Sequence, residues 1–215
     1  MNDGVVYTKR EEFFNSISHA VGSFLAIVGT VAMIVLAKSA NSLIMVISAL
    51  IYGLSMIIMY TMSTLYHALK SKRTKSILRI FDHASIYLLI AGCYTPLTLV
   101  ILEGSGRALF LLAGVWVAAI LGIILNAIDV TRFRKVSMAL YLLMGWSVVL
   151  EMGRVIPLLG IGGTSLLIAG GVAYSVGVIF YKMKKVPYMH GIWHLFVLAG
   201  SILHYICFLR YYIAA

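Results

Sequence analysis

Charge is what this chain has least of. Of its 215 residues 11% are charged, and Asp and Glu together number 7. A soluble domain carries about 25% charged residues, so the deficit excludes an ordinary water-soluble globular protein. Cysteine is nearly as scarce. Cys93 and Cys207 both lie in apolar runs with no CxxC spacing. They read as small buried hydrophobes, with no basis for a disulfide or a redox motif. No internal repeat or low-complexity tract appears. The polar opening MNDGVVYTKREEFFNS leads into an apolar run long enough to span a membrane, so no cleavable signal peptide is expected.

Hydrophobic residues are what fills the space, at 62% of the chain. A helix crosses the bilayer with roughly 20 apolar residues, which leaves room for about seven spans joined by short loops. Hydropathy places them at 17–37, 43–69, 80–101, 108–128, 136–152, 163–181 and 189–211. The fifth is the hardest to bound, because Glu151 and Arg154 crowd its end and the following VIPLLGIGG is itself apolar. The expected architecture is an all-α integral membrane bundle of seven transmembrane helices, a single domain over residues 1–215.

A net charge of +10 would point to nucleic acid in a soluble protein. Here the basic residues are loop charges, and no nucleic-acid partner is expected. Thirteen of them fall on one side: Lys9 and Arg10; Lys70, Lys72, Arg73, Lys75 and Arg79; Arg132, Arg134 and Lys135; Lys182, Lys184 and Lys185. Lys38, Arg107, Arg154 and Arg210 fall on the other. Basic loops stay in the cytoplasm, so the N-terminus is expected inside and, after seven spans, the C-terminus outside.

Against this apolar background a few polar residues stand out. Ser63 with His67, and His190 with His194, share i, i+4 spacing, which puts both members of each pair on one helix face. Asp82 begins the third expected span just across a basic loop. All five residues then lie at one depth, near the cytoplasmic leaflet, as do His19 and His83, whereas His204 falls toward the outer side. Ionisable side chains in lipid are costly and mark function. Three imidazoles, a carboxylate and a hydroxyl are the parts of an open three-histidine zinc site.

Each part also has a plainer reading. HxxxH from His190 to His194 lacks the glutamate of the HExxH protease motif, and two interfacial histidines can simply reach for headgroups. Ser63 alone would bond its own helix or a neighbour. Asp82 could pair with Arg79, or it could orient and deprotonate a water at a metal. Glu12, Asn15, Ser18 and His19 recur at helical spacing and read first as a helix cap and interface anchor, second as support for ligand histidines. The proline of Ala91–Pro96 kinks the third span, and Gly170 with Gly171 suggests close helix packing.

Taken in order, the segments ExxNxxSH (Glu12 to His19), SxxxH (Ser63 to His67), Asp82, AGCYTP and HxxxH (His190 to His194) resemble the hemolysin III branch of the progestin and adipoQ receptor superfamily. Each motif is weak, but the ordered set covers essentially the whole chain. The resemblance implies a Zn²⁺ ion held by His67, His190 and His194, with Asp82 at the zinc or its water and Ser63 beside it. The wider superfamily includes alkaline ceramidases, which hydrolyse a lipid amide. Bacterial members are linked to membrane-lipid homeostasis, and the long N-terminal extension of the animal receptors is missing.

The leading expectation is a zinc-dependent intramembrane hydrolase of a lipid amide or ester, in a bacterial plasma membrane, with membrane lipids as its partners. Asp82 would act as general base and Ser63 as oxyanion donor. Its rivals are a non-enzymatic lipid sensor with a structural zinc, and a cytolytic membrane protein. The uniformly apolar spans argue against the cytolytic rival, and histidines gathered at one depth suit one metal better than stacked haems.

Overall fold

The computed structural model describes residues 7–214. Among the described residues the chain is helical and contains no strand. The elements are α1 (Lys9–Ser39), α2 (Leu43–Ala68), α3 (Lys72–Pro96), α4 (Gly106–Asp129), α5 (Arg134–Trp146), α6 (Met152–Lys182) and α7 (Met189–Ala214). A π-helical turn (Leu97–Ile101) follows α3, and a 3-10 turn (Ser147–Glu151) joins α5 to α6.

Among the helices that begin earlier than hydropathy places them, α1 and α3 do so for the same reason: a charged first segment lowers the apolar average without breaking the helix. α1 starts from a capping box in which Thr8 and Glu11 satisfy each other's backbone N–H groups. Glu12, Asn15, Ser18 and His19 are therefore inside the helix, and their reading as its cap is corrected. α3 starts at Lys72, capped by Ser71, so Asp82 stands well inside a helix rather than at its opening. The end of α3 carries the expected disturbance. Pro96 has no N–H to give, and the register slips to a wider turn in which Leu102 N donates to Leu97 O at 2.9 Å.

Among the described residues six helical stretches are long and apolar enough to cross a bilayer, with Arg134–Lys182 counting as one stretch of 49 residues. Straight, such a stretch would reach about 74 Å at 1.5 Å per residue, more than twice the hydrocarbon thickness. It is not straight, because Gly160 takes φ +63° inside α6 and breaks the helix there. The segment around Pro157, read from sequence as a loop between spans, is helical up to that break.

α1 packs along α2 and α7, α2 along α3, α3 along α4, and α6 along α7. Small residues allow the close approaches. Gly22 of α1 lies against the Tyr60 ring, and Gly122 of α4 against Tyr87, where a methyl group would overlap the ring. The core between them is filled by Tyr52, Tyr60, Tyr87, Tyr212, Met33 and Met59, all fully buried. The outward faces are apolar instead of charged: between residues 21 and 35 every exposed side chain of α1 is Val, Phe, Leu or Ile. That pattern belongs to a protein whose solvent is lipid.

α5 leaves a gap between α3, α4, α6 and α7, and the gap is a cavity of about 1220 Å³ counted out to its mouth. Met59, Ile86, Leu89, Ile90, Leu142 and Val197 line it, so its walls suit an apolar chain. His19 and Asp82 border it at one level, and Cys93 and His204 at another.

Candidate metal centre

α2 and α7 each present one pair of residues a turn apart, and the two pairs meet. His67 and His194 are buried at 3% and 0% exposure, and His190 is partly buried. Ring nitrogens of His67, His190 and His194 all lie within 4.8 Å of one another. The Nε2 atoms of His67 and His190 are 3.2 Å apart. Two ligands about 2.05 Å from a tetrahedral zinc stand about 3.3 Å apart by simple trigonometry, so this spacing suits a shared ion.

The other ring nitrogens explain why the rings face that way. Glu12 Oε2 lies 2.6 Å from His67 Nδ1. A carboxylate only accepts, so Nδ1 carries the proton and Nε2 presents its lone pair to the cluster. Lys75 closes on the other oxygen of Glu12. His194 Nδ1 lies 3.1 Å from the Asn15 carbonyl and 3.1 Å from Ser18 Oγ. The carbonyl again fixes the proton on Nδ1. His194 Nε2 is then a buried lone pair with no hydrogen-bond partner. A buried polar atom without a partner is costly, and a cation at the cluster would satisfy it. The donor set fits a borderline metal such as zinc.

Carboxylate and carbonyl partners behind ligand histidines are the usual way metal sites fix ring orientation. Sequence reasoning had placed Glu12, Asn15 and Ser18 first in a cap, yet they are the groups that hold His67 and His194. Their spacing along one helix face was the available signal. Within Ala91–Pro96, Tyr94 and Pro96 are packed, and no residue of that segment belongs to the histidine cluster.

Asp82 is not among the grouped ligands, and Ser63 lies one turn before His67 on α2. Asp82 is buried at 3% exposure, with one oxygen 3.4 Å from His83 Nδ1, and it borders the cavity. Its carboxylate is within electrostatic reach of both His67 and His194. Ser63 Oγ is buried and within reach of the Asp82 carboxylate. The Asp82–Arg79 pair considered from sequence gives way to this contact with His83, whose Nδ1 also meets Arg79 O at 3.0 Å. His19 was left among the supports. It stacks on His194 at 3.6 Å between ring centroids, and both of its nitrogens are buried without partners. The candidate metal cluster therefore stands behind a cavity wall that includes Asp82 and His19, and none of its three histidines lines the cavity itself.

Comparison with known proteins gives a concordant picture. A family model described as "Haemolysin-III related" matches residues 7–205. The "Hemolysin-3 homolog" of Bacillus subtilis is 43% identical over 206 residues, 96% of each chain. The "Hemolysin-3" of Bacillus cereus is 41% identical over 202 residues, 94% of this chain and 92% of that one. The "Monocyte to macrophage differentiation factor" of Homo sapiens is 30% identical over 209 residues, 94% of this chain and 84% of the human one.

Proposed function

Since the chain belongs to the haemolysin-III related family, a branch of the progestin and adipoQ receptor superfamily, we propose that it is a zinc-dependent hydrolase of a lipid amide or ester. The observation that carries this reading is the meeting of three imidazoles around the unpartnered His194 Nε2, beside a buried carboxylate and an apolar cavity. We assign His67, His190 and His194 as the residues that hold the ion. Zinc held by these residues would supply Lewis acidity.

The chain's own groups do the rest. The cavity takes an acyl chain from the bilayer and aligns its head with Asp82, an ordering that removes entropy from the reaction. Asp82 accepts a proton from the attacking water and returns it to the leaving nitrogen or oxygen. Ser63 Oγ donates a hydrogen bond to the oxygen on which negative charge develops. Glu12, Asn15 and Ser18 hold the imidazoles in the ligand tautomer.

The basic loops and the break at Gly160 support seven spans, with the Arg134–Lys182 stretch crossing twice, the N-terminus in the cytoplasm and the C-terminus outside. The Bacillus relatives support a bacterial plasma membrane. The lysis that their names imply would need a polar, water-lined face, whereas the exposed side of α1 is hydrophobic through the span. Hydrolysis is therefore the stronger reading.

Purified protein in lipid nanodiscs tests it, with a panel of lipid amides and esters as substrates. Wild type should release fatty acid or amine, and Asp82→Asn should lose at least about a hundredfold in rate, the contribution of a positioned acid–base group. Asp82→Asn should keep its metal and its thermal midpoint. Equal turnover by wild type and Asp82→Asn would remove Asp82 from the chemistry.

A further inference from the structure

Away from the metal cluster, the cavity holds a second chemically able pair. Cys93 Sγ on α3 lies 3.2 Å from His204 Nδ1 on α7. His204 Nε2 lies 2.9 Å from the carbonyl of Leu167 on α6. That carbonyl can only accept, so Nε2 carries the proton, and Nδ1 offers its lone pair to the thiol. His204 is also seated closely against Gly170 of α6, where a side chain would displace the ring. A nucleophile, a base within reach and a third group that orients the base is the pattern of an activated nucleophile.

Location separates this pair from the metal cluster. His204 follows His194 by ten residues on α7 and Cys93 follows Asp82 by eleven on α3, which puts the pair about 15 Å further along both helices. Both side chains line the main cavity, and both also line a smaller hollow of about 380 Å³ beside Leu97 and Met152. A fully buried structural cysteine is inert. Cys93 lines both hollows with an imidazole in reach, whereas Cys207 lines neither and donates to Gly163 O at 3.3 Å. The chain thus contains its own control.

We propose that Cys93 and His204 form a second reactive site that captures electrophilic lipids, those bearing an α,β-unsaturated carbonyl on a long apolar chain. His204 Nδ1 takes the thiol proton as the sulfur electron pair forms a bond to the β-carbon. The C=C π pair moves to the α-carbon, and the imidazolium returns the proton there. The net change is addition of S–H across the double bond, and no oxidant or further reactant is consumed. Acyl transfer suits the pair less well. Cys93 and His204 are mid-helix, where backbone N–H groups are spent on the helix itself and none is available as an oxyanion hole. Conjugate addition spreads its charge over the enolate and takes back the proton that His204 holds. The apolar wall accounts for selection of chain-bearing electrophiles, and the inference does not depend on the metal cluster.

The test treats full-length protein in nanodiscs with an alkyne-tagged long-chain α,β-unsaturated ketone, followed by peptide mass spectrometry. Wild type should form one adduct per chain, at Cys93 and not at Cys207, and faster than with a short-chain analogue of the same warhead. Cys93→Ser should abolish it and Cys207→Ser should leave it unchanged. His204→Gln keeps an amide that can meet both Leu167 O and the thiol but supplies no base, so labelling should slow at least about tenfold at an unchanged thermal midpoint. No adduct in wild type, equal labelling of both cysteines, or an unchanged rate in His204→Gln would overturn the proposal. Should His204→Gln fail to fold, the comparison of chain lengths on wild type decides, and equal rates for long and short chains would overturn it.

Discussion

At the scale of single residues, the decisive feature is how little freedom the imidazoles have. His67 is fixed through Glu12 and His194 through Asn15 and Ser18, all from α1. Removing such a partner leaves the ligand in place but unoriented, and outer partners of this kind contribute about 10–100-fold to metal affinity. Glu12→Gln should therefore weaken zinc binding by about that factor without abolishing it, read by chelator competition on purified protein. An affinity equal to wild type would mean that Glu12 serves only its bridge to Lys75. The histidines themselves were legible in the sequence because two turns with i, i+4 spacing survive any small error in helix boundaries. Glu12 and Asn15 were not, because a polar stretch ahead of an apolar run reads equally well as a cap. Only the packing of α1 against α2 and α7 tells the two apart.

At the scale of elements, glycines decide which helices can come close. Gly122 on α4 lies against Tyr87 of α3, whereas Gly114 on the same helix has open space around it. Gly122→Ala should lower stability by about 1–3 kcal/mol, the usual cost of overpacking. Gly114→Ala should stay within about 0.5 kcal/mol of wild type. Thermal or denaturant unfolding in detergent compares the two, and equal effects would contradict the packing described for α3 and α4. Helix positions were largely readable from hydropathy, and their misplaced ends have two causes. The basic run from Lys72 to Arg79 hides the first turns of α3, so Asp82 was read as an opening residue. Between α5 and α6 the apolar VIPLLGIGG offers no hydropathy contrast, and only a backbone angle at Gly160 marks the break.

At the scale of the whole molecule, lipid-facing walls surround a cavity bordered at one level by Asp82 and by His19, which stacks on His194 of the candidate metal cluster, and at another by the Cys93–His204 pair. On the proposed seven spans thirteen basic residues fall on one side and four on the other, so a reporter fused after the last residue should be active only outside the cytoplasm. One fused in the loop between α2 and α3 should be active only inside, and the reverse pattern would invert the orientation proposed for the site. Everything else rests on whether the three imidazoles hold a metal. Elemental analysis of detergent-purified protein, wild type beside His194→Ala, measures this most directly. The account predicts one zinc per chain in wild type and its loss in a His194→Ala protein that still folds. Well-folded wild type without stoichiometric metal, or full zinc retention in His194→Ala, would contradict it.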